Sequence, residues 1–452
     1  MEEKVSRQLL ALVLPIALQN LMSAAVSASD ALMLGFLDQE ALSAVSLGTQ
    51  VQFVLSLFHA ALTIGATILG AQYWGKQDQT AVEHVLAIAL RFSILISMGF
   101  FLLAALIPGT LMRLFTGDET LILLGAPYLR VVSPSYLFQG ISQIYLCIMK
   151  NSGRTLRSTI YGSVAMVLNV ILNLILIFGL LGAPKLGIRG AALATTLARA
   201  MELLLVLLEN GRKEQVCIRA QYLRRPYRPL QRDFLRYTAP VMANELVWGC
   251  GFTMFSVIMG HLGSDAVAAN AIANIVKNVI ACVCLGIGSG SGILVGNVLG
   301  RGELERAKKL GDRLCHIAIL AGVISGGLIL LIKPLILRFG GSLTLEARQY
   351  LEFMLMICGY YMVGKSVNST VIAGIFCAGG DTKFGMLCDA VTMWAVVVPL
   401  GAAAAFWLRL PVMAVYFLLN LDEIIKLPAV YRHYKKYIWV KDLTGGTDHE
   451  SD

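Results

Sequence analysis

The chain has 452 residues, of which 57% are hydrophobic and 14% charged, with a formal net charge of +9. An ordinary soluble domain carries about 25% charged residues, so the composition excludes a soluble globular enzyme. The excess of 37 Lys and Arg over 28 Asp and Glu would raise nucleic acid as a partner in a soluble protein; in a membrane protein it reflects basic cytoplasmic loops, and no nucleic-acid partner is expected.

Long, largely apolar runs such as Val164 to Leu181 do not fit a transmembrane barrel, whose strands alternate apolar and polar residues over about ten positions. They predict helices, each needing roughly 20 apolar residues to cross a bilayer. Twelve spans follow in order: 9–33, 43–71, 84–108, 122–148, 159–181, 189–209, 237–260, 267–298, 314–338, 348–376, 384–407 and 411–432. The expected fold is an all-α polytopic membrane protein with twelve transmembrane helices. An even number of spans puts both termini on one side. Placing Lys4, Arg7, Lys76, Lys150, Arg154, Arg157, Arg301, Arg306, Lys308, Lys309, Arg313, Lys383, Arg432, Lys435 and Lys436 inside makes that side cytoplasmic. The first apolar block follows a mixed-charge start and continues as a span, so no cleavable signal is expected.

The first span carries Asp30 within Ala24-Ala25-Val26-Ser27-Ala28-Ser29-Asp30, where small residues permit close helix approach. A carboxylate in a span is costly and usually faces a protein interior or an aqueous cavity. It reads as a proton or cation site; the rival reading is an interfacial acid near the outer helix end. In the fifth span Asn169 and Asn173 are one turn apart and face the same way. The sixth begins Gly187-Ile188-Arg189-Gly190-Ala191-Ala192 and continues through Thr195 and Thr196. Carbonyl and hydroxyl oxygens beside one carboxylate suit a hard monovalent cation, although Asn and Thr also serve as plain interhelical hydrogen-bonding groups. Arg199 and Glu202, three apart, form a local helix pair.

The richest basic stretch runs from Arg212 through Arg219, Arg224, Arg225, Arg228 and Arg232 to Arg236 and reads as a cytoplasmic linker. Beyond it, Glu245, Lys277 and Asp389 fall in the seventh, eighth and eleventh spans. Glu245 with Lys277 reads either as a structural ion pair or as one that opens when substrate or a proton arrives. Gly286, Gly288, Gly290 and Gly292 recur at every second residue of the eighth span. No P-loop lysine follows them, so they form a helix-packing or helix-breaking stretch rather than a nucleotide cradle. The nine cysteines mostly lie inside apolar runs and read as reduced packing residues. Without an ATP site, an ion gradient is the default energy source and no cofactor is expected.

The chain repeats itself. Pro15 aligns with Pro240 at an offset of 225, and the same ungapped offset aligns Gly35 with Gly260, Gly65 with Gly290 and Gly75 with Gly300. At an offset of 227, Gly153 and Thr155 meet Gly380 and Thr382. Two homologous six-span halves of the same orientation follow, related by an axis along the membrane normal. The expected organisation is a six-helix N-terminal lobe (1–210), a basic cytoplasmic linker (211–236), a six-helix C-terminal lobe (237–434) and a cytoplasmic tail (435–452), with a central cleft between the lobes.

Several segments together resemble the multidrug and toxic compound extrusion (MATE) transporters, in particular their DinF-like branch. They are Pro15 with Gln19 and Asp30, Met33-Leu34-Gly35-Phe36-Leu37, Gly70-Ala71-Gln72-Tyr73-Trp74-Gly75-Lys76, the Gly187 to Thr195 stretch, Pro240 with Asn244, Glu245 and Trp248, and Gly379-Gly380-Asp381-Thr382-Lys383 ahead of Asp389 and Trp394. The resemblance implies a monomeric antiporter of the bacterial cytoplasmic membrane. It would export cationic or amphipathic small molecules in exchange for H+ or Na+. Asp30 would couple the ion, as a proton carrier or a sodium site, together with Asn169, Asn173 and Thr195. Many relatives carry a second aspartate where this chain has Asn173, which leaves the coupling ion open. Pro15 and Pro240 would serve as hinges, and Gln19, Glu245, Lys277 and Asp389 would face the substrate cleft. The runner-up is a flippase for a lipid-linked or polysaccharide precursor; its usual basic cavity contrasts with the mainly acidic candidates here.

Overall fold

A computed structural model describes residues 2–37, 39–211, 216–339 and 343–445; Arg212 of the basic stretch and residues 446–452 of the expected tail lie outside the described residues. Helices account for every long apolar run, because only a helix satisfies its backbone groups within one segment in lipid. They are α1 (Glu2–Gly35), α2 (Gln39–Gly75), α3 (Gln79–Leu106), α4 (Glu119–Asn151), α5 (Thr155–Phe178), α6 (Ile188–Asn210), α7 (Arg228–Gly260), α8 (Ser264–Gly300), α9 (Leu304–Phe339) and α10 (Leu345–Asn368, continued by a π-helical stretch Ser369–Phe376). Then come α11 (Thr382–Trp407) and α12, which is made of three pieces, Val412–Leu419, Asp422–Ile425 and Leu427–Tyr434. All but α10 and α12 are long and apolar enough to cross a membrane by length and composition, and α11 includes the π-helical stretches Ala390–Val397 and Ala403–Trp407. No strand occurs among the described residues.

The breaks have local causes. In α12 the Asn420 side-chain amide donates to the Tyr416 carbonyl at 2.9 Å, a local bond that competes with the helix ladder. Pro428, at the start of the last piece, has no N–H to continue it. The α10–α11 and α4–α5 turns share one conformation, with Gly153 at φ 76° and Gly380 at φ 75°; these are the glycines paired by the 227-residue offset. The α2–α3 turn has Gln77 at φ 64°, and its counterpart across the repeat is Gly302 at φ 76°. Asp78 then caps α3 by accepting from the Ala81 N–H at 2.9 Å.

The described chain divides into two compact units, one of Gln19–Gly70 and Asp78–Leu235, the other of Met1–Leu18, Ala71–Gln77 and Arg236–Asp452. Thus residues 2–18 and 71–77, which the repeat assigns to the N-terminal lobe, belong to the unit built on the C-terminal half. Residues 228–235, within the expected linker, are already the first turns of α7 and belong to the other unit.

In the unit containing α3–α6, the core gathers Met33, Leu34, Leu55, Leu129, Tyr136 and Ile177. The described part of the linker is tied down there. Glu83 on α3, almost fully buried, accepts from the Cys217 N–H at 3.2 Å and pairs with Arg219 at 2.5 Å. The contact holds the pKa of the exposed Arg219 guanidinium above its ordinary value, chiefly through the hydrogen bond it donates to Glu83.

The other unit shows what the alternating glycines do. A Cβ on Gly286 or Gly290 would press on Ala17 and Val13 of α1, whereas one on Gly288 or Gly292 would press on Ser369 and Gly374 of the α10 π stretch. Within each pair the residues are four apart and share a face, so α8 is bare on two sides and a helix packs closely on each. Farther along, a Cβ on Gly300 would collide with the Gln72 carbonyl, and one on Gly75 with the Asn297 carbonyl. Gly75 with Gly300, and Gln72 with Asn297, are the pairs set by the 225-residue offset, so the two contacts are reciprocal.

Residues 435–445, expected as a tail, also pack into this unit. Trp439 is fully buried, stacked 5.5 Å from the Tyr434 ring. Gln72 donates to the carbonyls of Ala378 at 2.7 Å and Lys441 at 3.2 Å and accepts from the Leu443 N–H at 2.7 Å. An indole and a buried glutamine hold a segment that its sequence predicts as a tail.

Candidate functional site

Asp30 lies five residues before the end of α1 and is half-buried. Its carboxylate accepts from the Asn173 amide at 2.6 Å. The same Asn173 nitrogen stands 3.4 Å from the Asn169 carbonyl oxygen, and the Asn169 amide donates to the Thr195 hydroxyl at 3.3 Å. Thr195 in turn donates to the Ala191 carbonyl at 3.1 Å. The sequence-predicted set is therefore one hydrogen-bonded chain across α1, α5 and α6.

Helix packing explains the meeting. A Cβ on Gly190 would press on the Leu176 carbonyl, so glycine there lets α6 approach α5 closely. That approach brings Thr195 within reach of Asn169. Asn169 and Asn173 are 6% and 1% exposed, and the side-chain oxygen of Asn173 is buried without a hydrogen-bond partner. Such an orphan costs about 1–3 kcal/mol, and it lies on the group that holds the carboxylate. Tyr128, buried in the same core, lies within the electrostatic reach of Asp30.

Gln19 is in the same unit but apart from this chain. Its amide packs on Gly162, where a Cβ would leave it no room, and its oxygen is buried without a partner. The expected Arg199–Glu202 pair forms at 2.8 Å, and Ser142 adds a 2.5 Å hydrogen bond to Glu202.

The other predicted residues fall in a second cluster, within Arg236–Asp452. Asp389 accepts from Lys426 at 2.7 Å, and Lys426 also reaches Glu423 at 3.2 Å. Glu423 pairs with Lys365 at 3.3 Å and accepts from the Asn368 amide at 2.7 Å. Lys277 does not pair with Glu245; its ammonium donates to the Asn420 side-chain oxygen at 3.4 Å and sits 4.8 Å from the Tyr361 ring centre. Glu245 instead feels the charges of Lys365 and Asp389. The pairing of Glu245 with Lys277 thus fails because α12 places an amide and α10 a phenol ring around the lysine.

Lys365, Asp422, Glu423 and Lys426 were not singled out from the sequence. The signal was present: three charged residues in five positions inside an apolar span, of which Glu423 and Lys426 sit three apart, as helix partners do.

The sequence profile of the MatE family matches residues 15–175 and 240–403, so the two matched segments start at the two repeat prolines. The chain belongs to the MatE family. As a MATE transporter it is 23% identical over 447 residues to the probable multidrug resistance protein YoeA of Bacillus subtilis, with 97% of this chain and 95% of that protein covered. It is 28% identical over 427 residues to the probable multidrug resistance protein NorM of Bradyrhizobium diazoefficiens, covering 90% of this chain and 88% of that protein. A solved MOP superfamily transporter from Pyrococcus furiosus superposes with a TM-score of 0.86 at 17% identity, 95% of each chain being covered. That likeness establishes the fold, an all-α polytopic membrane protein.

Proposed function

We propose that this MATE transporter is a secondary antiporter of the bacterial cytoplasmic membrane, with both termini cytoplasmic. It exports cationic or amphipathic small molecules in exchange for H+ or Na+, by alternating access. The relatives named as multidrug resistance proteins support the substrate class. The single observation that carries the coupling is the hydrogen-bonded chain from Asp30 through Asn173 and Asn169 to Thr195.

The chemistry follows from the amide. With Asp30 ionised, Asn173 presents its nitrogen, the donor the carboxylate needs. A proton on Asp30 turns the acid into a donor, and a bound Na+ needs oxygen ligands. In both cases the Asn173 oxygen, the atom that now lacks a partner among the described residues, can accept from the acid or ligate the ion. Ion binding at Asp30 thus rotates the Asn173 amide and reorders Asn169 and Thr195 behind it. With its charge neutralised, the outer part of α1 exchanges a charge-assisted tie to α5 for a weaker neutral one. The helix bends at Pro15, where the ladder already lacks an N–H, and Pro240 plays the same part in α7. Gln19, Glu245, Lys277 and Asp389 are proposed as substrate-contacting groups, with the two acids attracting organic cations.

Purified protein in proteoliposomes, given an imposed proton or sodium gradient and a fluorescent cationic dye, tests the reading. Gradient-driven dye movement is expected for the wild type and the protein-free liposome rate for Asp30→Asn. The variant should elute as the wild type does on size exclusion. Full transport by Asp30→Asn would overturn the coupling role.

A further inference from the structure

Within Arg236–Asp452, buried charges from four helices form one cluster. Two of its lysines are committed: Lys426 to Asp389 and Glu423, and Lys365 to Glu423. Left over are the half-buried Glu245, a deeper acid and one base. Asp422 is 3% exposed, makes no ion pair or hydrogen bond among those described, and has a fully buried carboxylate oxygen without a partner. Lys277 has only the Asn420 amide oxygen and the Tyr361 ring. The two feel each other's charge, and Asn420 lies two residues before Asp422, at the break in α12. An unpaired ionised carboxylate so deeply buried would cost several kcal/mol. Intramembrane acids in this position mark ion or proton pathways, and discontinuous helices build such sites in transporters.

We propose that Asp422 is a second proton-binding site of this transporter, with Lys277 as the counter-ion that takes its place when the proton leaves. The conformation described has Asp422 protonated and Lys277 turned to Asn420. When the carboxyl releases its proton to water, the carboxylate draws the Lys277 ammonium from Asn420 and the Tyr361 ring into an ion pair. Rebinding of a proton from water reverses the step. No other bond changes. A metal ion is disfavoured because the Lys277 ammonium already lies within charge reach of the same acid.

The groups around Asp422 are Glu423 and Lys426 on α12, Tyr360, Tyr361 and Lys365 on α10, and Lys277 on α8; Asp389 on α11 faces them through Lys426. The phenols carry no charge to compensate, and the remaining ions compensate one another. Among the described groups around Asp422, Lys277 is the cation not already held in an ion pair and so answers a charge there.

The test is infrared difference spectroscopy of the full chain in nanodiscs, with carboxyl-labelled aspartate and in an Asp30→Asn background so that Asp30 contributes nothing. The expected result is a protonated aspartic C=O band that shifts with the label, disappears as pH is raised, and is absent from Asp30→Asn/Asp422→Asn. A double variant that keeps the band overturns the proposal. Should that variant fail to fold, Asp30→Asn/Lys277→Gln decides. Without the ammonium, the band is expected to persist at a pH where the Asp30→Asn protein has lost it, and titration identical to that of Asp30→Asn overturns the proposal. The transport arm rests on the antiport reading: protons moved per dye should fall by one in Asp422→Asn. If the wild type moves no dye, the antiport reading fails while the spectroscopic arm still decides on Asp422.

Discussion

At the scale of single residues, Asn173 decides the character of the Asp30 site. Its nitrogen serves the carboxylate and its oxygen is left over, so one neutral amide stands where a second carboxylate would double the negative charge. Two close carboxylates repel, and each ionised one favours cation capture by the other. Asn173→Asp is therefore expected to lower the Na+ concentration for half-maximal dye transport by roughly tenfold, or about 1.4 kcal/mol. An unchanged sodium dependence in reconstituted vesicles would contradict this account. Gln77 offers a second test, since it holds a left-handed backbone for which its repeat counterpart uses glycine. Gln77→Gly relieves a strain of about 1 kcal/mol and should raise the midpoint of thermal unfolding; a lowered midpoint would show that the side chain matters more than its backbone.

At the scale of elements, glycine sets how closely helices pass. The crossing of α2 and α8 rests on Gly75 against the Asn297 carbonyl and Gly300 against the Gln72 carbonyl. A larger side chain at either position must push backbone aside, which costs about 1–3 kcal/mol or more. Gly75→Leu and Gly300→Leu should each reduce the yield of monodisperse protein. Gly99→Ala on α3, where an added Cβ meets nothing within 4 Å, should stabilise by up to about 1 kcal/mol. Equal behaviour of the three variants in thermal scans would refute the packing argument.

At the scale of the whole molecule, residues 435–445 are part of the fold. Trp439 fills space between the α10–α11 turn and α9, where added Cβ atoms on Gly379 and Gly311 would run into it. Gln72 and Lys76 from the end of α2 fasten the segment that follows, Lys76 through the Thr444 carbonyl at 3.1 Å. Trp439→Ala is expected to cost about 3–5 kcal/mol, read as a large fall in the unfolding midpoint in detergent. A midpoint within a degree or two of the wild type would mean that the segment is dispensable.

Composition, apolar run length and the repeat determined the all-α membrane class and the twelve helices, because these depend on local hydrophobicity and on residues at fixed offsets, while the family was legible in motifs such as Gly70 to Lys76 and Gly379 to Lys383. They also singled out Asp30, Asn169, Asn173 and Thr195 as candidates, since a carboxylate and two amides one turn apart stand out in an apolar span. What joined them was the close α5–α6 approach at Gly190, a matter of interhelix distance that one-dimensional spacing does not contain. The same holds in the second cluster. The sequence showed lysines and acids in separate spans, and only tertiary packing decided that Lys426 meets Asp389, that Lys277 meets Asn420 rather than Glu245, and that a carboxylate oxygen of Asp422 meets no partner among the described residues. Pairing between helices is a property of where they cross, and those crossings were fixed by glycines and helix breaks whose consequences appear only in three dimensions.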